Sequence, residues 1–90
     1  MTLGKWIRKI DIETLSTTTV ALWLDEDRED ILWEGRASKI PMEYLDYKIG
    51  ITDDDPTVKP IMVFAKENEY GAYFPHFIIT VQEPYWLKEA

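Results

Sequence analysis

The side chains able to do chemistry in this 90-residue sequence are few and do not converge. His76 is the sole imidazole and there is no cysteine, so a zinc site would need an unusual set of carboxylate ligands. Placed between Phe74 and Phe77, His76 reads as a structural or edge residue rather than a ligand or base. Ser16 and Ser38 stand without the glycine-rich elbow or oxyanion donors that activate a serine nucleophile. The four glycines are scattered, and neither phosphate-cradling pattern, G-x-x-x-x-G-K-S/T nor G-x-G-x-x-G, occurs. Among seventeen carboxylates an acid–base pair can always be drawn, and none is singled out. Asp25-x-Asp27-x-Glu29 begins like an EF-hand loop, but Asp30 stands where the loop needs glycine and Arg36 where it needs the bidentate glutamate. The expectation is a protein that is no enzyme and carries neither metal nor cofactor.

What the sequence does concentrate is negative charge. Seventeen acidic against ten basic side chains leave a net charge of −7. Lys5, Arg8 and Lys9 fall in an acid-free stretch of ten residues, so residues 11–90 carry −10. Affinity for a phosphate backbone comes from cations that release its counterions, so direct nucleic-acid binding is disfavoured and a protein partner with a basic surface is favoured. Two clusters could meet such a partner: Asp25, Glu26, Asp27, Glu29 and Asp30 in one turn, and Asp53, Asp54 and Asp55 in another. Charges two residues apart on an extended chain stand about 7 Å from each other, of the same order as phosphates along one strand. The two loops could therefore occupy a basic groove as a nucleic acid does. The alternative is a solvated hairpin tip whose charges discourage edge aggregation.

The elements that would position these groups centre on residues 18–36. Two runs of alternating β-formers flank the acidic hexapeptide, which predicts a β-hairpin. Pairing Leu24 with Ile31 sets Leu22 opposite Trp33 and Val20 opposite Gly35, all on one core-facing side. Trp23 and Leu32 then lie across from each other on the outer face. Either the N-terminal helix or the aromatic tail around Tyr85 and Trp86 covers them, or they form an exposed patch that anchors a partner or a homodimer.

Around the hairpin, Leu3, Trp6, Ile7 and Ile10 make one apolar stripe, which predicts a helix over residues 2–10 capped by Thr2. Gly4 weakens it by up to about 1 kcal/mol relative to alanine. Residues 11–17 read as a connection with Ile12 and Leu15 turned inward. Pro41 suits the first turn of a short helix over residues 41–46, with Met42 and Leu45 facing the core. Residues 47–52 alternate like a strand. Ile61-Met62-Val63-Phe64-Ala65 reads as a central strand covered on both faces. The last strand runs from Tyr73 to Val81, and Pro75 requires that it start later or lie at an edge there. The sum is a single α+β domain: N-terminal helix, β-hairpin, short helix, then three strands in a mainly antiparallel sheet.

Ninety residues with 46 % apolar content suffice for one small core. No apolar run approaches the roughly 18 residues that span a bilayer, and the N-terminus lacks a secretory h-region. A cytoplasmic protein that makes no membrane contact is expected.

The pattern Val-x-Leu-x-Leu-Asp-x-Asp, an acidic turn, Ile-Leu-Trp-Glu-Gly and then Ile-Pro-x-x-Tyr-Leu-Asp resembles small acidic proteins of phages, plasmids and integrated elements of Gram-positive bacteria. The resemblance covers residues 1–52 and rests on Trp33-Glu34-Gly35, Ile40-Pro41 and Leu45-Asp46. It implies an accessory gene product in a bacterial host cell, a class that includes inhibitors of host defence of the anti-CRISPR type. It brings no catalytic residues with it.

Overall fold

The computed structural model describes residues 1–25, 27–51 and 59–84, the side chains of residues 27–30 excepted. The fold is α+β. Two short helices, α1 (Leu3–Arg8) and α2 (Ile12–Thr17), precede strands β1 (Thr19–Leu24), β2 (Asp27–Arg36), β3 (Lys48–Ile49), β4 (Ile61–Glu67) and β5 (Tyr73–Gln82). Single 3-10 turns at Ala37–Lys39 and Met42–Tyr44 lie between β2 and β3. The sheet runs β2-β1-β5, and both β4 and β3 pair with the far side of β5. The β1–β5 ladder is parallel and the other three are antiparallel.

β3 and β4 share that far side end to end. The Thr80 N–H donates to the Pro60 carbonyl at 2.8 Å, while the Thr80 carbonyl accepts from the Gly50 N–H at 3.1 Å. One residue of β5 thus closes the end of one strand and the start of the other.

The core lies on one face of this sheet. Val20 and Leu22 of β1 stand beside Phe77 and Ile79 of β5, with Val81 next to Leu24. Val20, Leu22, Ile79 and Val81 have no exposed surface. Leu3 of α1 is equally buried, and Trp6 meets Phe77 edge to face with ring centroids 5.1 Å apart. Thr2 caps α1, its hydroxyl accepting from the Lys5 N–H. Gly4 costs helix propensity but permits close approach. Its N–H donates to the Leu45 carbonyl at 2.9 Å, and a Cβ there would sit 3.1 Å from that oxygen.

Several expectations are corrected. Residues 11–17 are not a bare connection: Asp11 caps α2 by accepting from the Thr14 N–H at 2.8 Å. Ile12, in the first turn of that helix, is 80 % exposed rather than turned inward. The helix expected over residues 41–46 shrinks to the 3-10 turn Met42–Tyr44, which points Met42 into solvent and leaves Ile40 and Tyr44 to pack on the core. The strand expected over residues 47–52 is Lys48–Ile49, with residue 52 outside the described residues.

β4 is not a central strand. Its composition suits burial, but among the described residues β4 pairs with β5 alone, on the side away from β1, and so lies at an edge. Pro75 shows how the edge works. Asn68 N–H donates to the Ala72 carbonyl, as Thr80 N–H does to that of Pro60. Antiparallel ladders alternate bonded and non-bonded pairs, so the intervening Ala65–Pro75 pair is non-bonded and the proline nitrogen points away from β4. β1 begins only at Thr19, opposite His76. The missing N–H of Pro75 therefore faces an edge, as proline in a strand requires.

The hairpin keeps two of its three expected pairs, Val20 with Gly35 and Leu22 with Trp33. Beyond them the register slips: Trp23 pairs with Ile31 and Leu24 with Asp27. The expected Leu24–Ile31 pair does not form, because β1 continues along β5, with Asp25 N–H donating to the Val81 carbonyl at 2.8 Å. The surplus residues of β2 are taken up as bulges.

Candidate functional site

The pairing register defines what the face opposite the core displays. One rung carries Ile31, Trp23 and Thr80; the next Glu34, Ala21, Ile78 and Met62; the third Arg36, Thr19, His76 and Phe64. The helices place Leu3, Trp6, Ile7 and Leu15 against the core face instead. On the open face, Ala21 and His76 are buried at the centre, Trp23 and Ile78 are half-buried, and Ile31, Met62 and Phe64 are exposed. Among the described residues this leaves a broad apolar surface, with Glu34, Arg36 and Lys66 among its charged neighbours.

His76, 5 % exposed, sits opposite Thr19 on the parallel ladder, with Nδ1 2.6 Å from the Thr19 Oγ1. Burial pushes its pKa below the ordinary value, Lys66 pushes it the same way, and Glu34 opposes them. A neutral imidazole tied to a hydroxyl across the ladder fastens β5 to β1. An open groove of about 520 Å³ lies beside it, lined by Ser16, Thr17, Thr19, Arg36, Asn68, Tyr73 and Phe74. Its Ser16, Thr17 and Asn68 side chains serve the fold. The Ser16 and Thr17 hydroxyls donate back to carbonyls of their own helix, and Asn68 Oδ1 accepts the Tyr70 and Ala72 N–H groups. His76 is not among the groove's lining residues.

The exposed edge is β4. Bonded pairs with β5 fall at even positions of β4, so Ile61, Val63, Ala65 and Glu67 point their N–H and C=O groups outward. Among the described residues β4 pairs with β5 alone. Val63 is 59 % exposed, and Met62 and Phe64 are exposed beside it. A shallow depression of about 350 Å³ formed by Val63, Phe64, Ala65, Tyr73, Phe74 and Pro75 adjoins them.

The residues singled out by sequence are distributed unevenly on this frame. Asp25 is half-buried at the end of β1, within 3.5 Å of the Gln82 side-chain amide, so it is tied to β5 and is not a free tip. Asp27, Glu29 and Asp30 belong to β2, but their side chains lie outside the described residues. Glu26, Asp53, Asp54, Asp55, Tyr85 and Trp86 lie outside them altogether. Trp23 and Leu32 do not face each other. The register slip sets Ile31 opposite Trp23, while Leu32 packs with Trp33 against the core. Trp23 holds its indole N–H buried without a hydrogen-bond partner among the described residues.

The exposed Met62, Val63 and Phe64 were missed as surface residues because an apolar run reads alike whether a strand is covered or bare. The signal available was Pro75, which marked an edge on the neighbouring strand.

Among the described residues no cluster of three or more His, Asp or Glu side chains could hold a metal ion, and no helix is long and apolar enough to cross a membrane. Comparison of the chain with known protein families, curated proteins and solved structures finds no match in any of the three.

Proposed function

We propose that this chain is a noncatalytic accessory protein of a mobile element that acts by binding another protein. The observation that carries this reading is the open sheet face, where Ile31, Trp23, Ile78, Met62 and Phe64 spread apolar area across four strands. Apolar patches of this kind, rimmed by charge, are typical of interaction surfaces. The net charge of −7 favours a partner with a basic surface. In its sharpest form the protein inhibits a nucleic-acid-handling protein of the bacterial host cytoplasm, the context implied by its resemblance to acidic mobile-element proteins.

Affinity capture from a Gram-positive host lysate, with and without nuclease, tests this. The partner should persist after nuclease and be lost with Phe64→Glu or Ile31→Lys. Undiminished capture by both variants would overturn the role of the open face. Reversal of Asp25, Asp27 and Asp30 to lysine measures the electrostatic share, which should also shrink steeply with salt.

The exposed β4 edge favours a second reading, in which the protein associates with itself.

A further inference from the structure

We infer that β4 is a homodimer contact, two copies joining β4 to β4 in antiparallel fashion about a two-fold axis at Val63. The sheet would then continue as β2-β1-β5-β4-β4-β5-β1-β2 across the pair. This develops the self-association reading and needs no other protein, so it stands or falls apart from the heterologous partner.

The backbone is the first reason. Ile61, Val63, Ala65 and Glu67 present outward donors and acceptors, and Lys59 shares their parity. Pro60 does not interrupt this row, since its position faces β5, where its carbonyl bonds Thr80. Exposed edges are normally blunted by proline, bulges or charges along the strand. β4 has no proline, keeps an unbroken register with β5, and confines its charges to Lys66 and Glu67 at one end.

The second reason is that the sequence of the edge complements itself in one register. An antiparallel ladder exchanges hydrogen bonds between outward-facing residues of both strands. Centred on Val63, it sets Val63 against Val63, Ile61 against Ala65 and Lys59 against Glu67, with the charge pair repeated at both ends. On the open face Met62 meets Phe64, a favourable sulfur–aromatic contact. Shifting the centre to Phe64 sets Ile61 against Glu67 and Met62 against Lys66, apolar against charge. Of these two registers chemistry favours the one centred on Val63, which also pairs Lys59 with Glu67, and a two-fold pairing closes on itself without leaving a new edge.

Charge is the third reason. From Lys59 to Glu67 the chain carries two lysines and one glutamate. This stretch is not acidic, so a basic partner gains nothing there, and its one glutamate meets a lysine of the other copy. Pairing also brings the Met62 and Phe64 rows of both copies together, making one continuous apolar face.

Sedimentation velocity of the whole chain over a concentration series should show a monomer–dimer equilibrium, and Val63→Lys should hold the protein monomeric with an unchanged circular-dichroism spectrum. Lys59→Glu and Glu67→Lys should each weaken the dimer, and the double swap should restore it. Bonded antiparallel partners have Cα atoms about 5.5 Å apart, within disulfide range. The natural chain has no cysteine, so Val63→Cys should self-crosslink under mild oxidation far faster than Tyr70→Cys on the exposed β4–β5 turn. A monomer at every concentration, or equal crosslinking of the two variants, overturns the inference. If such a monomer still captures a partner through Phe64, the proposed function survives without it.

Discussion

The indole of Trp33 lies over Gly35, two residues along the same strand, so closely that a Cβ on Gly35 would sit 2.9 Å from Cζ2 of the ring. Side chains at i and i+2 share a face, and the absence of one at Gly35 is what lets the indole lie down against the core. Gly35→Ala should lift the ring and destabilise the fold by about 1–3 kcal/mol, the usual cost of overpacking. Urea unfolding checks the loss, and near-ultraviolet circular dichroism checks the displaced indole. An unchanged midpoint would mean that Trp33 has another place to go.

His76 makes stability pH-dependent. Burial holds its folded-state pKa below the ordinary 6.5, so the unfolded chain takes up the proton more readily than the folded one. The contribution of the neutral imidazole is complete above that value and is lost as pH falls towards the folded-state pKa. The urea midpoint should therefore drop between about pH 7.5 and about pH 5.5, and His76→Gln should flatten that slope. Thr19→Val should cost about 1–3 kcal/mol by leaving a buried ring nitrogen unpaired.

Leu3 and Met42 test which apolar residues hold the fold. Leu3 has no exposed surface whereas Met42 is 84 % exposed. Leu3→Ala should destabilise by about 2–5 kcal/mol. Met42→Ala should stay within about 0.5 kcal/mol of the parent.

The turn joining β4 to β5 depends on Gly71, whose φ is +80°. Its N–H donates to the Asn68 carbonyl, and Asn68 Oδ1 gathers two further N–H groups. Gly71→Ala should cost on the order of 1 kcal/mol through the left-handed backbone, read as a lowered melting temperature. Asn68→Ala should cost a comparable amount by freeing both amides.

The elements built on local chemistry were legible in the sequence. Thr2 and the Leu3, Trp6, Ile7 stripe announced α1, and the Val20–Gly35 and Leu22–Trp33 pairs followed from alternation. α2 is hard to read in the sequence because its six residues offer a single i, i+3 apolar pair, Ile12 and Leu15, and its clearest signal is the Asp11 cap. The slip after Leu22 was hidden because it is set by β5, more than fifty residues downstream in sequence, which holds Asp25 beside Val81. Strand order was hidden for the same reason. Nothing within Ile61-Met62-Val63-Phe64-Ala65 tells whether another strand will lie outside it. The open face inherits that blindness: pattern assigns Ile31 and Phe64 to the interior, and tertiary pairing turns them out.

Because Gly50 and Pro60 are both moored to Thr80, the sheet does not depend on the length of the chain between them. Doubling the length of a connection adds only about 0.6 kcal/mol in closure entropy. An epitope, a fluorophore or a foreign peptide spliced in after Asp54 should leave the hydrogen-exchange protection of Ile79 and Val81 intact. That makes this junction a natural place to tag the protein while its strands, and whatever they grip, stay as they are.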